Sequence, residues 1–212
     1  MEKNILFDLD GTLTDSGEGV INCALYALEH FGLPLPDRQT MRQFVGPPLL
    51  ESFPRFGVPQ DRVEEAIQIY RSRYNPIGRY ENHPYPGIKE LLERLRADGH
   101  RLYVATSKPE TMSVEILEDF GLASCFTRIC GASTDTSRTS KDAVIAYLLE
   151  NLPDRHNVIM VGDTKYDVIG AAAHGIDTIA VAWGYGTEES LREAGAVAIA
   201  EDMEELYRLL SR

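Results

Sequence analysis

The chain has 212 residues, of which 43% are hydrophobic and 25% charged. That suits one full domain with a substantial insert, in an ordinary soluble globular protein. Its formal net charge of -12 argues against nucleic acid polymers and anionic membranes as partners, but not against a small anion, which responds to local charge.

The first element is predicted at Ile5-Leu6-Phe7, a short apolar run that reads as a buried strand. It begins almost at once, so no cleavable leader is expected, and no apolar run approaches membrane-spanning length. Residues 18 to about 80 then read as helical. Val20, Ile21, Ala24, Leu25, Leu28 and Phe31 recur at helical spacing, as do Val63, Ala66, Ile67 and Tyr70. Prolines at 34, 36, 47, 48, 54 and 59 mark the turns between helices. Tyr70 and Tyr74 are expected to face a helical core, with Arg71 and Arg73 in solvent.

Tyr85-Pro86-Gly87 marks the return to strand-and-helix alternation. Strands are predicted at Leu102–Ala105, Thr127–Ile129, Val158–Val161 and Thr178–Val181, with a short sixth near Val197–Ile199. Helical patterns fill the gaps at Glu110–Phe120, Lys141–Leu149 and Tyr166–His174. This alternation predicts an α/β fold built on a doubly wound parallel sheet. The expected division is a core of residues 1–16 and 83–212 and a helical insert of 17–82. Three cysteines, Cys23, Cys125 and Cys130, are few and odd in number, which fits free thiols in a reducing cytoplasm. The histidines show no zinc-ligand spacing.

Four polar clusters fall at the C-terminal ends of predicted strands, where open parallel sheets hold their ligands. They are Asp8 with Asp10, Thr106-Ser107-Lys108-Pro109, Lys141 after Thr139-Ser140, and Gly162-Asp163 with Asp167. Two acids closing a core strand repel each other. They make sense beside a cation, or if one of them attacks a substrate. Phosphoryl transfer uses all the pieces. A carboxylate attacks phosphorus, and oxygen ligands hold magnesium between like charges. Lys141, the Thr106 hydroxyl and backbone N–H groups near Leu9 and Asp10 can supply the cation and donors that the phosphoryl oxygens need. Asp10 is placed to protonate the leaving group and then to deprotonate water. Taken singly, Thr106-Ser107 reads as a helix cap and Lys141 as a solvated lysine. Lys108 reads as a helix-start lysine or a substrate contact. The conjunction carries the signal.

With these motifs in order, the whole chain resembles the haloacid dehalogenase superfamily of phosphohydrolases. Asp8-x-Asp10-Gly11-Thr12, Thr106, Lys141 and Gly162-Asp163-x-x-x-Asp167 look like its four motifs. The insert resembles the helical cap of the subclass that includes phosphoglycolate phosphatases. Gly46-Pro47-Pro48-Leu49 and Trp183-Gly184-Tyr185-Gly186 look like a branch described as phosphoglycolate phosphatase or 5'-nucleotidase. The resemblance implies a Rossmann-like core with sheet order 5-4-1-2-3, Asp8 as nucleophile and Asp10 as acid/base. It also implies Mg2+ bound by Asp8, Asp163 and the Asp10 carbonyl, with Asp167 nearby. Thr106, Ser107 and Lys141 would bind phosphate, and Val45, Gly46, Leu49 and Lys108 are candidates for specificity. The substrate would be a small phosphomonoester and the protein a cytoplasmic monomer or weak homodimer. Asp10 disfavours dehalogenation. Uncharged neighbours of Gly46 disfavour a phosphosugar mutase, which stays as the enzyme alternative. A catalytically silent binding protein on the same fold is the other.

Overall fold

Strand β1 (Asn4–Phe7) has every residue buried, as the uninterrupted run Ile5-Leu6-Phe7 requires of a strand covered on both faces. In the computed structural model, which describes residues 2–133, 135, 137–152 and 155–211, the chain forms two compact units. One comprises residues 1–13 with 84–212 and the other residues 14–83.

The second unit contains β2 (Thr14–Asp15), α1 (Gly17–His30), α2 (Arg38–Met41), α3 (Leu49–Arg55), α4 (Val63–Tyr74) and, at its edge, β3 (His83–Pro84), which pairs with β2. Its aromatic residues pack against one another. Phe44 meets Phe53 at 4.9 Å and Tyr70 stacks on Tyr74 at 5.3 Å between ring centroids. Helix α1 can approach the turn at 78–81 because position 19 is glycine: a Cβ there would lie 2.0 Å from the Gly78 carbonyl oxygen. Arg73 is not in solvent as expected. Its guanidinium donates to both oxygens of Glu81 at 2.8 and 2.9 Å and to the Cys23 sulfur at 3.1 Å. A pair eight residues apart, spanning a helix end and a turn, leaves no mark in helical periodicity.

The first unit continues with α5 (Ile88–Ala97), β4 (Arg101–Pro109), α6 (Glu110–Asp119), β5 (Arg128–Ala132), α7 (Lys141–Glu150) and β6 (Val158–Gly162). It ends with α8 (Lys165–Ala172), β7 (Asp177–Val181), α9 (Glu188–Ala194), β8 (Ala198–Ala200) and α10 (Met203–Leu210). The sheet order is β5-β4-β1-β6-β7-β8, with every pairing parallel. This is the implied 5-4-1-2-3 order, with β8 as the sixth strand. Side chains alternate across it. Ile5, Phe7, Leu102 and Val104 join Leu91, Leu92 and Leu95 of α5 on one face. Leu6, Tyr103 and Met160 join Val144, Ile145 and Leu148 of α7 on the other. The central pairings Phe7↔Val104 and Phe7↔Val161 bring the ends of β1, β4 and β6 to one edge, at the switch point of the sheet. The three cysteines are free and buried, and no described helix is long and apolar enough to cross a membrane.

Candidate active site

Asp8 follows the last residue of β1, and its backbone N–H donates to the Val161 carbonyl at 2.9 Å. The strand pairing therefore runs right up to the carboxylate, which is 5% exposed. Its two oxygens are unequal. Oδ1 accepts from the Leu9 N–H at 2.7 Å and lies 2.7 Å from Lys141 Nζ. Among the described residues no donor is directed at Oδ2. The Leu9 N–H, expected to face a phosphoryl group, is instead spent on orienting Asp8.

Lys141 opens α7, whose N-cap Ser140 accepts from the Ala143 N–H at 3.2 Å. Its ammonium is buried: it donates to the Ala105 carbonyl at 2.8 Å and forms ion pairs with Asp8 Oδ1 at 2.7 Å and Asp167 Oδ1 at 2.8 Å. Burial alone would lower its pKa. The carboxylates of Asp167 and Asp8 outweigh that and hold it above its ordinary value.

Asp163 follows β6 and is fully buried. Thr12 Oγ1 donates to its Oδ1 at 3.1 Å and the Tyr185 N–H to its Oδ2 at 2.8 Å. Among the described residues no cation pairs with it. Burial, then repulsion from Asp167 and Asp8, pushes its pKa well above the usual carboxylate range, against the pull of Tyr185 and Thr12. Burial likewise raises Asp8 to about 6. Lys141 opposes the rise, and Asp167 and Asp10 add to it.

Asp167 closes a capping box on α8: its Oδ2 accepts from the Thr164 N–H and Oγ1, both at 2.9 Å. The pattern Thr164-x-x-Asp167 was readable in the sequence as a helix start. One residue thus fixes the helix with one oxygen and Lys141 with the other.

The side chains of Asp8, Asp163 and Asp167 each offer an oxygen within 4.8 Å of the others, a group able to hold a metal ion. The charges fit one. Of three buried acids only Asp8 and Asp167 pair with the Lys141 ammonium, and a hard divalent cation with oxygen ligands would relieve the pressure that lifts Asp8 and Asp163.

Asp10, half-buried, forms a separate pair. Lys108 Nζ lies 2.9 and 3.0 Å from its two oxygens. Lys108 is therefore not a helix-start lysine. Strand β4 continues through the polar Thr106-Ser107-Lys108 to Pro109, past the expected end at Ala105. Thr106 is buried and its Oγ1 accepts from the Lys108 N–H at 3.2 Å, which leaves its own proton available for donation. Ser107 is half-buried. Val45, Gly46 and Leu49 lie in the second unit. Val45 is buried, Gly46 has φ +103° and Leu49 is the half-buried first residue of α3.

The loop Trp183–Gly186, which the sequence marked as part of the resemblance, wraps Asp163. Besides the Tyr185 N–H, the Gly186 N–H donates to the Asp163 carbonyl at 3.2 Å, and Trp183 Nε1 donates to the Thr12 carbonyl at 3.2 Å. A Cβ on Gly184 would lie 2.2 Å from the Asp163 Cβ, so glycine is required by the close approach.

A family model described as haloacid dehalogenase-like hydrolase matches residues 5–181. A 5'-nucleotidase of Pseudomonas aeruginosa is 41% identical over 98% of this chain and 95% of its own length. A tyrosine-protein kinase, PtkA of Mycobacterium tuberculosis, is 44% identical over 97% of this chain and 72% of its own length. The crystal structure of a "predicted phosphatase" from Clostridium acetobutylicum superposes with a TM-score of 0.95 at 40% identity, covering 99% of this chain and 98% of that one. A parallel sheet that gathers these acids and Lys141 at its switch point, with such relatives along its whole length, leaves one assignment: the chain belongs to the haloacid dehalogenase-like hydrolases, as an enzyme of the phosphatase type.

Proposed function

We propose that the protein hydrolyses a small phosphomonoester, of the phosphoglycolate or nucleoside 5'-monophosphate kind, through an aspartyl-phosphate on Asp8. The observation that carries the reading is the asymmetry of Asp8. Oδ1 is anchored by Leu9 and Lys141, and Oδ2 is left to attack. Attack on phosphorus forms the Oδ2–P bond and breaks the bond to the leaving alkoxide, which takes a proton from the Asp10 carboxyl. Water then attacks the same phosphorus and Asp10 takes its proton, releasing inorganic phosphate and restoring Asp8. The Thr106 hydroxyl, Ser107 and Lys141 are assigned to the phosphoryl oxygens.

Asp8, Asp163 and the Asp10 carbonyl would hold Mg2+, with Asp167 beside them. When bound, it would supply positive charge between the carboxylate and the phosphoryl group. Residues at Gly46 and Leu49 in the second unit are assigned to recognition of the leaving group, because phosphate chemistry alone is common to all such substrates.

A panel of alkyl, sugar and nucleoside phosphates, with magnesium and with excess chelator, tests the reading. The expected result is magnesium-dependent release of inorganic phosphate, abolished in a folded Asp8→Asn variant. Full turnover in chelator, or an active Asp8→Asn enzyme, overturns it.

The kinase-named relative supports a second reading. An aspartyl-phosphate can be discharged by a tyrosine hydroxyl instead of water, the proton again passing to Asp10. Incubation with ATP and a tyrosine peptide separates the two, since only the second yields phosphotyrosine.

A further inference from the structure

Lys108 is buried and its ammonium meets both oxygens of Asp10 at 2.9 and 3.0 Å. What aims it there is an irregularity in β4. The β4–β5 register passes from Ala105↔Cys130 to Pro109↔Ala132. Four steps on β4 match two on β5, so Thr106-Ser107-Lys108 bulge out of the ladder. Bulges redirect side chains and are frequent beside active sites. This one is held from both ends. Inside it, Thr106 Oγ1 accepts the Lys108 N–H at 3.2 Å. Behind it, the Lys108 carbonyl packs on Gly131, where a Cβ would lie 2.5 Å away. Glu110 accepts the Gly131 N–H at 3.1 Å and Arg138 Nη2 at 2.9 Å, and Arg138 Nε donates to the Gly131 carbonyl at 2.8 Å. The Gly131–Glu110–Arg138 clamp therefore fixes the bulge, and the bulge fixes Lys108.

We propose that Lys108 is a positioning residue for Asp10. It grips the acid/base carboxylate at both oxygens and so fixes the direction in which the carboxyl group addresses the leaving-group oxygen. The inference rests on the assignment of Asp10 as acid/base. It replaces a direct contact between Lys108 and substrate with an indirect role. Asp10 is carried on a turn after β1 and its side chain has two free torsions. An ammonium fixed by the sheet removes that freedom, which is how orientation becomes rate.

The test compares Lys108→Met, Lys108→Gln, Asp10→Asn and the Lys108→Met/Asp10→Asn double variant on alkyl and aryl phosphates of graded leaving-group basicity. The readout is kcat/KM, which stops at the first irreversible step and so reports phosphorylation of Asp8 alone. Lys108→Met should lose about 10²-fold on alkyl phosphates and less than about tenfold on an activated aryl phosphate. Its dependence on leaving-group basicity should steepen toward that of Asp10→Asn, and the double variant should be no worse than Asp10→Asn. Inhibition by inorganic phosphate should be unchanged. Lys108→Gln, which keeps a donor, should fall between wild type and Lys108→Met and covers the case in which methionine is not tolerated.

Equal losses on both ester classes with weakened phosphate inhibition would make Lys108 a substrate contact and overturn the proposal. Additive losses in the double variant would overturn it as well. A steep Asp10→Asn profile beside a flat Lys108→Met profile removes the proposal and leaves Asp10 its role. A flat Asp10→Asn profile removes both.

Discussion

Tyr185 gives its backbone N–H to Asp163 Oδ2 across 2.8 Å, over a glycine that has no room for a side chain. The loop after β7 thereby sets the orientation of the acid that follows β6, and Thr12 sets its other oxygen from the turn after β1. Gly184→Ala should push this arrangement apart. Overpacking costs on the order of 1–3 kcal/mol, a drop of several degrees in Tm. Affinity for Mg2+ measured by titration calorimetry should fall with it. Unchanged metal affinity in a folded Gly184→Ala variant would separate the loop from the acid site.

The pKa directions at the site give a pH dependence with a definite sign. Asp8 rises to about 6 in the folded protein, against about 3.9 in an unfolded chain. The folded state thus binds more protons than the unfolded between these values, and the metal-free protein loses stability as pH rises through that window. A cation needs the ionised acids and competes with protons for them. The Tm increment from magnesium should therefore be small near about pH 5 and large near about pH 7.5. In kcat/KM, the acidic limb should lie near 6 at limiting magnesium and move lower at saturation. Equal stabilisation by magnesium at both pH values contradicts this.

Lys141 and Asp167 should separate by variant. Lys141→Met leaves Asp8 and Asp167 without their shared ammonium and the Ala105 carbonyl without its donor. Loss of one partner from a buried pair costs on the order of 3–5 kcal/mol, so thermal melts should show a large drop together with lost turnover. Asp167→Asn keeps an oxygen for Thr164 and so preserves the cap of α8. Its Tm should change little while activity falls. A Tm loss in Asp167→Asn as large as that of Lys141→Met would show that the charge pair with Lys141, not the cap, is what Asp167 chiefly contributes to stability.

Within the second unit, Leu49→Ala should re-rank kcat/KM among phosphoesters and leave magnesium dependence intact. Val45→Ala, at a buried position, should chiefly lower Tm. Uniform scaling of all substrates by Leu49→Ala would remove its assignment to recognition.

Much of the site was legible because the fold is written in local signals. Ile5-Leu6-Phe7 ends in Asp8, and Val158–Val161 leads to Gly162-Asp163. An alternating pattern of strands and helices brings those ends to one edge. Strand β4 was truncated because its apolar run stops at Ala105, whereas pairing with β5 carries the polar Thr106–Lys108 onward through a bulge. The Lys108–Asp10 pair depends on that bulge and so had no local signature. The Trp183–Gly186 wrap of Asp163 joins residues about twenty positions apart through backbone atoms, which no side-chain pattern reports. Asp167 was visible as an acid, but its second duty could be found only by reading Thr164-x-x-Asp167 as a capping box.

The most direct test of the account is to catch the phosphoryl group on Asp8. Protein mixed with a substrate ester and magnesium is quenched in acid and reduced with borohydride, which converts an aspartyl phosphate to homoserine. Peptide mass analysis then locates the change. The account predicts homoserine at position 8, formed only with substrate and absent from Asp8→Asn. Modification at another residue, or efficient turnover with position 8 unmodified at every time of quenching, would contradict it.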